Sequence, residues 1–142
     1  MNILLFVYGT LKMGFSRNYA LNGQIYLGTA KTKPEYSMYA LNGYPALVDQ
    51  RMAEKNKLQV STSVFGEIWE VDEEAITKID KIESTDIDLF ERKAINIDEF
   101  TLSRLPLDKS VWRSIEDKIA LSYIYKQNIY GAAICGSFWH KR

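Results

Sequence analysis

The pattern of apolar positions is clearest at the beginning of the chain. Residues 3–8, Ile-Leu-Leu-Phe-Val-Tyr, are apolar or aromatic without interruption. Such a run is typical of a strand buried on both faces, although its length also fits a turn of buried helix. Gly9 follows directly and favours the strand, because a glycine breaks the pattern and permits backbone angles that other residues avoid. We therefore predict a first strand that ends at Tyr8.

The segment after this strand is a candidate anion site. Where a buried strand stops at Gly9 and Thr10, the successive backbone N–H groups of Gly9, Thr10 and Leu11 can point towards one place and hold an anionic group. The same residues also fit an ordinary turn after a core strand, which is the more common arrangement. The stretch by itself leaves both interpretations open.

Short β-like segments dominate the next part of the chain. Residues 24–30 and 36–41 are rich in aromatic and β-favouring residues, and Asn42-Gly43 between Leu41 and Tyr44 predicts a hairpin. Pro45 marks the following segment as an edge or irregular strand. The longest β-like stretch runs from Leu58 to Val71, and its Gly66 predicts a bend or a bulge.

One helix is predicted by both its cap and its periodicity. Asp72 is a suitable N-cap, and Glu73 and Glu74 place negative charge in the first turn. Isoleucines recur at every third position to residue 82, and the helix is expected to end at about Glu83. At 3.6 residues per turn, Glu83 falls on the same inward stripe as these isoleucines. The helix therefore turns one carboxylate towards apolar surroundings.

The second half of the chain returns to strands. Alternation predicts strands over residues 91–98 and 118–126. Pro106 interrupts the segment between them, in which Ser110 could cap a short helix that ends at Glu116. The elements together predict a single α+β domain over residues 1–142, with a mainly antiparallel sheet rolled towards a barrel and flanked by helices.

Composition narrows the class of protein. The chain has 142 residues, and its 18 basic and 18 acidic side chains cancel. This balance gives no reason to expect nucleic acid or a membrane surface as a partner. A single cysteine, Cys135, excludes an internal disulfide and, with one histidine, cannot supply a usual zinc site. We expect a cytoplasmic protein with no metal.

Glu83 is the strongest candidate for chemistry that the pattern offers. A carboxylate among apolar side chains can carry a raised pKa, and such a group exchanges protons well near neutral pH. Two other arrangements remain open for it: a salt bridge to Arg92 or Lys93, or a helix end that faces water. Cation binding by Asp86 and Asp88, a triad that includes His140 and a nucleophilic Cys135 have weaker support.

At this point the residues resemble a known family, the gamma-glutamylcyclotransferase-like superfamily. Its first strand ends in Tyr-Gly-Thr-Leu-Lys, which this chain has intact at residues 8–12. Further matches follow in order along almost the whole chain. They are Gly14 and Asn18, Gly28-Thr29, residues 44–47, the strand at residues 64–71, Ile79-Asp80-Lys81-Ile82-Glu83, residues 123–125 and residues 134–139.

The resemblance implies a small β-barrel whose cavity has the Tyr8–Lys12 loop as its floor. Members of the family release a gamma-glutamyl group as 5-oxoproline and leave a free amine or amino acid, without a metal or another cofactor. The residue corresponding to their acid–base glutamate is Glu83. Carried over in the same way, the residues that bind the gamma-glutamyl substrate are Tyr8, Gly9, Thr10, Leu11, Lys12, Phe90 and Tyr123.

The sequence also departs from the family pattern. Ser84 stands where a glycine commonly follows the catalytic glutamate, and Phe90 replaces a tyrosine whose hydroxyl could touch the substrate. Residues 100–117 are longer than the usual hairpin and are expected to be an insertion that covers the pocket, meets a partner or pairs subunits. The rival interpretations are a small-ligand-binding module without activity and a protein-interaction module. We expect a monomer or a weak homodimer.

Overall fold

The computed structural model describes residues 1–41, 44–51, 62–83, 89–127 and 132–140 of the chain. Its strands are β1 (Ile3–Val7), β2 (Ile25–Thr32), β3 (Ser37–Ala40), β4 (Pro45–Val48), β5 (Phe65–Val71), β6 (Phe90–Leu102), β7 (Ile119–Tyr125) and β8 (Ala133–Ile134). Its helices are a 3-10 helix (Asn18–Leu21), α1 (Glu73–Ile82) and α2 (Lys109–Glu116).

Five strands form a closed barrel in the order β1, β5, β2, β6 and β7. All neighbours in the barrel are antiparallel except β1 and β7, which run parallel where Leu5 lies opposite Leu121. The first strand is a central part of the core, since Leu5 and Phe6 are completely buried. The predicted mainly antiparallel barrel with flanking helices is confirmed.

The remaining strands form a separate antiparallel sheet in the order β4, β3, β8. Pro45 begins β4 at the edge of this sheet, as predicted, where a missing backbone N–H costs no ladder hydrogen bond. The predicted Asn42-Gly43 turn lies outside the described residues. Beside it, the Leu41 N–H donates to the Tyr44 carbonyl at 2.9 Å.

Gly66 has a different role from the one predicted. The prediction of a bend or bulge there is wrong, because Gly66 pairs with Ala30 in regular register. A Cβ at this position would lie 2.5 Å from the Val7 carbonyl oxygen, so the glycine permits close approach of β1. The register shift occurs instead in β2, at Gly28, whose φ is +144°.

Helix α1 follows the prediction closely. The Asp72 carboxylate accepts a 2.8 Å hydrogen bond from the Ala75 N–H, which caps the first turn. Ile76 and Ile79 are buried against the barrel. The helix ends at Ile82, and the Glu83 N–H donates to the Ile79 carbonyl at 2.9 Å. Packing of the isoleucine stripe therefore sets the direction in which Glu83 leaves the helix.

Helix α2 begins earlier than the sequence indicated. Its N-cap is Asp108 rather than Ser110, whose N–H donates to the Asp108 carboxylate at 2.9 Å. The aspartate also accepts a 2.8 Å hydrogen bond from the backbone N–H of Asn2. The predicted cap at Ser110 is therefore wrong, and the aspartate that caps the helix also joins α2 to the start of β1.

Of the three roles considered for residues 100–117, covering the pocket is not supported, whereas contact with a partner and pairing of subunits stay predictions. Phe100 and Leu102 belong to β6 and lie opposite β2. The loop that follows is tied to the start of β1 and to Glu70, which accepts hydrogen bonds from the Leu107 and Asp108 N–H groups at 2.8 and 3.1 Å. Because Gly9 follows the opposite end of β1, this segment closes the other end of the barrel.

No helix within the described parts of the chain is both long enough and apolar enough to cross a membrane.

Candidate active site

A cavity that is open to solvent lies at the carboxyl end of β1. It is bounded by the loop after β1, the ends of α1 and β7, and the start of β4. The lining residues are Phe6, Val7, Tyr8, Gly9, Thr10, Leu11, Arg17, Tyr44, Pro45, Glu83 and Tyr123.

The floor of the cavity is a loop with its carbonyls occupied and its N–H groups free. The carbonyls of Gly9, Thr10 and Leu11 accept hydrogen bonds from the Lys12 N–H at 3.1 Å, the Arg17 N–H at 2.8 Å and the Asn18 side chain at 2.8 Å. The N–H groups of the same three residues donate to no acceptor within the described ranges. The loop can therefore offer successive donors to a ligand.

Gly9 is required by packing rather than by its backbone angles. Its φ is not positive, contrary to the sequence-based argument for a residue with special conformational freedom. A Cβ at Gly9 would lie 2.7 Å from Cγ of Pro45, a side chain of the same cavity lining. The glycine thus lets β4 approach the loop of residues 9–11, which we call the donor loop.

Glu83 opens into this cavity beside the donor loop. It is half-buried, and its carboxylate makes no hydrogen bond or ion pair with any residue that the structure describes. Burial raises the pKa of Glu83 from 4.5 to about 7, and the nearby charge of Arg17 offsets part of that rise. A carboxyl group with this pKa can both accept and return a proton near neutral pH.

The salt bridges considered as alternatives for Glu83 are made by other acids. Arg92 lies 3.5 Å from the carboxylate of Asp80, and Lys93 lies 2.6 Å from that of Asp49. The expected pairing of Glu83 with Arg92 or Lys93 is therefore wrong. Two carboxylates that the sequence did not single out hold these cations and leave Glu83 unpaired.

Tyr123 lines the same cavity as Glu83, and its hydroxyl is held by Asp80. Its hydroxyl donates a 2.7 Å hydrogen bond to the carboxylate of Asp80, which is also the partner of Arg92. Burial and the bond to Asp80 raise the pKa of Tyr123 well above its usual value. Tyr123 therefore stays neutral and presents the lone pairs of its oxygen.

Tyr8 contributes its ring to the cavity and its hydroxyl to the scaffold. The hydroxyl donates to the Tyr123 carbonyl at 2.8 Å and accepts a 3.3 Å hydrogen bond from the Leu47 N–H. These bonds join β1 to β7 and β4, so Tyr8 fixes the positions of three walls of the cavity.

Two residues that the resemblance assigned to substrate binding lie elsewhere. The Lys12 ammonium donates to the Trp139 carbonyl at 2.7 Å and lies over the rings of Phe15 and Phe138. Phe90 packs against Tyr44 and Tyr125 and is not part of the cavity lining. The structure thus brings together Tyr8, Gly9, Thr10, Leu11, Glu83 and Tyr123, but not Lys12 and Phe90.

Sequence reasoning missed Arg17 and Tyr44 as cavity residues and Asp80 as the support of Tyr123. A cation near the turn after Gly9 was a weak signal for Arg17, and the family match at residues 44–47 was the signal that could have placed Tyr44 in the site. Asp80 lies one helical turn before Glu83, which was the signal that could have placed it near the site.

The weaker candidates from the sequence take no part in the cavity or cannot be placed. Ser84, Asp86 and Asp88 lie outside the described residues. The Cys135 thiol donates to the Met38 carbonyl at 3.3 Å, and the His140 ring packs against Phe138. Within the described ranges, no group of three or more His, Cys, Asp or Glu residues could hold a metal ion.

Comparisons with known proteins agree with this architecture. Residues 5–135 match the family described as gamma-glutamyl cyclotransferase, AIG2-like. A protein of Vibrio cholerae named "Putative gamma-glutamylcyclotransferase" is 38% identical over 88 residues, which are 62% of this chain and 68% of that protein. A protein of Methanocaldococcus jannaschii with the same descriptive name is 35% identical over 94 residues, 66% of this chain and 70% of that one.

The fold has counterparts among solved structures. The crystal structure of an AIG2-like protein from Mus musculus superposes with a TM-score of 0.66 and 21% identity. The match covers 96% of this chain and 88% of the mouse chain, and at this identity it shows the fold alone. Because the family match spans nearly all of the barrel and the cavity, the chain belongs to the AIG2-like gamma-glutamyl cyclotransferase family.

Proposed function

We propose that the protein is an active gamma-glutamyl cyclotransferase that releases 5-oxoproline and a free amine or amino acid from a gamma-glutamyl amine or amide. The observation that carries the proposal is the unpaired Glu83 carboxylate, with a pKa of about 7, in the same cavity as the free N–H groups of residues 9–11. A carboxylate whose pKa lies near 7 can exchange a proton with a bound substrate at neutral pH, which a module that only binds a ligand does not need.

In the proposed reaction, the substrate supplies its own nucleophile. The α-amino nitrogen of the glutamyl group attacks its side-chain carbonyl carbon and forms the new C–N bond of the ring. The bond from that carbon to the leaving nitrogen then breaks. Water is not consumed, and the atoms balance between the substrate and its two products.

Glu83 moves the proton that this reaction requires. The α-amine must lose a proton as it attacks, and the leaving nitrogen must gain one as it departs. One carboxylate near both nitrogens can perform the two transfers in turn, and its pKa near 7 leaves both protonation states accessible.

The cavity contributes by orientation. The free N–H groups of Gly9, Thr10 and Leu11 bind the glutamyl moiety, and the Tyr123 oxygen, whose hydrogen is donated to Asp80, accepts a hydrogen bond from a substrate nitrogen. Holding the amine against its own carbonyl makes attack an intramolecular step with a high effective concentration.

The proposal is tested by incubating the purified protein with gamma-glutamyl amines and gamma-glutamyl dipeptides and measuring 5-oxoproline by mass spectrometry. We expect product from at least one substrate and a loss of about 100-fold or more in Glu83→Gln. Glu74→Gln is the matched control, since Glu74 is exposed on the same helix and pairs with Lys78 at 3.5 Å.

Two results would contradict the proposal in different ways. No product from any substrate, with the protein folded, would favour the ligand-binding alternative. Product from Glu83→Gln at the rate of the parent protein would show that another group moves the proton.

The choice of substrates follows from the family resemblance. The Tyr8–Lys12 string resembles the branch that acts on gamma-glutamylamines, so the panel must include both gamma-glutamylamines and gamma-glutamyl dipeptides.

A further inference from the structure

We infer that Arg17 determines substrate specificity, by binding a carboxylate on the leaving group of a gamma-glutamyl amino acid. The inference rests on the proposed function, and it favours an amino acid over a simple amine as the group released. It departs from the preference for gamma-glutamylamines that the Tyr8–Lys12 string suggested.

Arg17 is placed in the cavity by the donor loop itself. Its N–H donates to the Thr10 carbonyl at 2.8 Å, and its own carbonyl accepts from the Ala20 N–H at 3.1 Å. It stands directly before the 3-10 helix and lines the cavity together with Thr10 and Glu83. The backbone of Arg17 is therefore fixed relative to the residues that hold the glutamyl moiety.

The guanidinium group of Arg17 is available for a ligand. It makes no ion pair and no hydrogen bond with any residue in the described parts of the chain. Of the described residues that line the cavity, it is the one permanent cation, and Glu83 is the one carboxylic acid. The guanidinium therefore keeps its donors for a ligand, and a carboxylate can bind such a group bidentately.

Glu83 does not form an ion pair with the guanidinium of Arg17. A carboxylate paired closely with an arginine has a pKa below its usual value. The pKa of Glu83 is instead raised to about 7, with burial outweighing the charge of Arg17. The two groups therefore lie near each other without forming an ion pair, so the guanidinium keeps its donors for a substrate carboxylate.

The cavity thus has two separate positions for anions and one base. The N–H groups of residues 9–11 suit one carboxylate, that of the glutamyl moiety, and Arg17 suits a second. The leaving nitrogen must approach Glu83 to receive its proton, and in an amino acid the carboxylate lies two bonds from that nitrogen. A gamma-glutamyl amino acid fills both positions, whereas a gamma-glutamylamine leaves Arg17 without an anion.

Two substrates that differ in one carboxylate test this inference directly. Gamma-glutamyl-alanine and gamma-glutamyl-ethylamide share the glutamyl group, and ethylamine is alanine without its carboxylate. We expect kcat/KM for the alanine substrate to be higher than that for the ethylamide by about tenfold or more. This is the effect that a hydrogen bond between charged groups usually has on binding. Arg17→Gln should remove this preference by lowering the alanine value more than the ethylamide value, because any change in the pKa of Glu83 affects both substrates alike. Arg17→Lys should keep part of the preference.

The matched control is Arg113→Gln, because Arg113 is an exposed arginine of α2, which packs at the other end of β1. It should leave the preference unchanged. Equal values for the two substrates in the parent protein would overturn the inference. So would an equal loss for both substrates in Arg17→Gln, since Arg17 would then bind the shared glutamyl part or support the fold.

Binding measurements separate this inference from the proposed function. Isothermal titration of the Glu83→Gln variant with each substrate, repeated with Glu83→Gln/Arg17→Gln, needs no turnover. Tighter binding of the alanine substrate that depends on Arg17 supports the inference even if the parent protein forms no 5-oxoproline. The absence of an Arg17-dependent difference overturns it, whatever the activity.

Discussion

The Tyr123 hydroxyl donates a 2.7 Å hydrogen bond to the carboxylate of Asp80, one helical turn before Glu83. Tyr123 lines the cavity, whereas Asp80 lies behind it and also pairs with Arg92 at 3.5 Å. A tyrosine on β7 is thus oriented by the same helix that delivers the proposed base. The two groups that we propose contact a substrate nitrogen are therefore positioned by one element.

This relationship predicts coupling between Tyr123 and Asp80 in activity. Asp80→Ala and Tyr123→Phe should each lower kcat/KM by about tenfold, since each removes the hydrogen bond between the two residues, whereas Asp80→Asn keeps an amide oxygen that could still accept it. The double variant should be little worse than either single one, because both changes disrupt the same interaction. Losses that multiply in the double variant would show that Asp80 acts independently of Tyr123.

Asp80→Asn should lower the free energy of unfolding, by about 1–3 kcal/mol, because it leaves the charge of Arg92 without its partner. Tyr123→Phe keeps that ion pair and should have a smaller effect. Urea unfolding of the two variants, followed by circular dichroism, measures this difference. Equal destabilisation by both would contradict the stated role of the Arg92–Asp80 pair.

The raised pKa of Glu83 predicts how stability depends on pH. Between pH 4.5 and about 7 the folded protein binds a proton at Glu83 that the unfolded chain has released. The free energy of unfolding should therefore fall as pH rises through this window, by at most about 3 kcal/mol. Glu83→Gln removes the titrating group, so it should be more stable than the parent protein at about pH 8 and differ little at about pH 4.

Urea unfolding at those two pH values measures the effect, with Glu74→Gln as the exposed control on the same helix. A Glu83→Gln variant that is less stable than the parent at the higher pH would show that the carboxylate has a partner in solution. Such a result would also contradict the raised pKa of Glu83, which depends on a buried carboxylate without a partner.

Lys12 is predicted to stabilise the segment at residues 132–140 rather than to bind substrate. Lys12→Met keeps most of the apolar stem but leaves the Trp139 carbonyl without its donor. The free energy of unfolding should fall by about 1–3 kcal/mol, with KM little changed. Lys109→Met, at an exposed lysine of α2, is the control. A raised KM at unchanged stability would support the substrate contact that the family resemblance implied.

Gly66 is predicted to be intolerant of any side chain. Gly66→Ala places a Cβ 2.5 Å from the Val7 carbonyl oxygen, a backbone atom of the neighbouring strand. We expect a loss of about 3 kcal/mol or more, since two paired strands must separate. Gly23→Ala is a useful comparison. The φ of Gly23 is +80°, and a Cβ at this position would meet no atom within 4 Å. The variant should therefore lose about 1 kcal/mol of unfolding free energy from backbone strain alone. Chemical unfolding of both variants tests whether Gly66→Ala loses more unfolding free energy than Gly23→Ala.

The sequence by itself determined the elements that depend on neighbours along the chain. The apolar run before Gly9 predicted β1, and the Asp72 cap with its isoleucine stripe predicted α1 to within one residue. Helical periodicity also placed Glu83 on the inward face, because the direction of a side chain from a helix is a local property. Mainly antiparallel pairing followed from short strands with turn residues between them.

Tertiary structure decided what each of these residues touches. Arg92 and Lys93 are paired with Asp80 and Asp49, which leaves Glu83 free, and no local pattern distinguishes these pairings from the ones expected. Tyr8 bonds to a carbonyl 115 positions away, and the Asn2 N–H bonds the carboxylate of Asp108 at the start of α2. Gly9 and Gly66 are small because other strands approach them. Such contacts join residues far apart in the chain, so only closure of the barrel selects the groups that face the cavity.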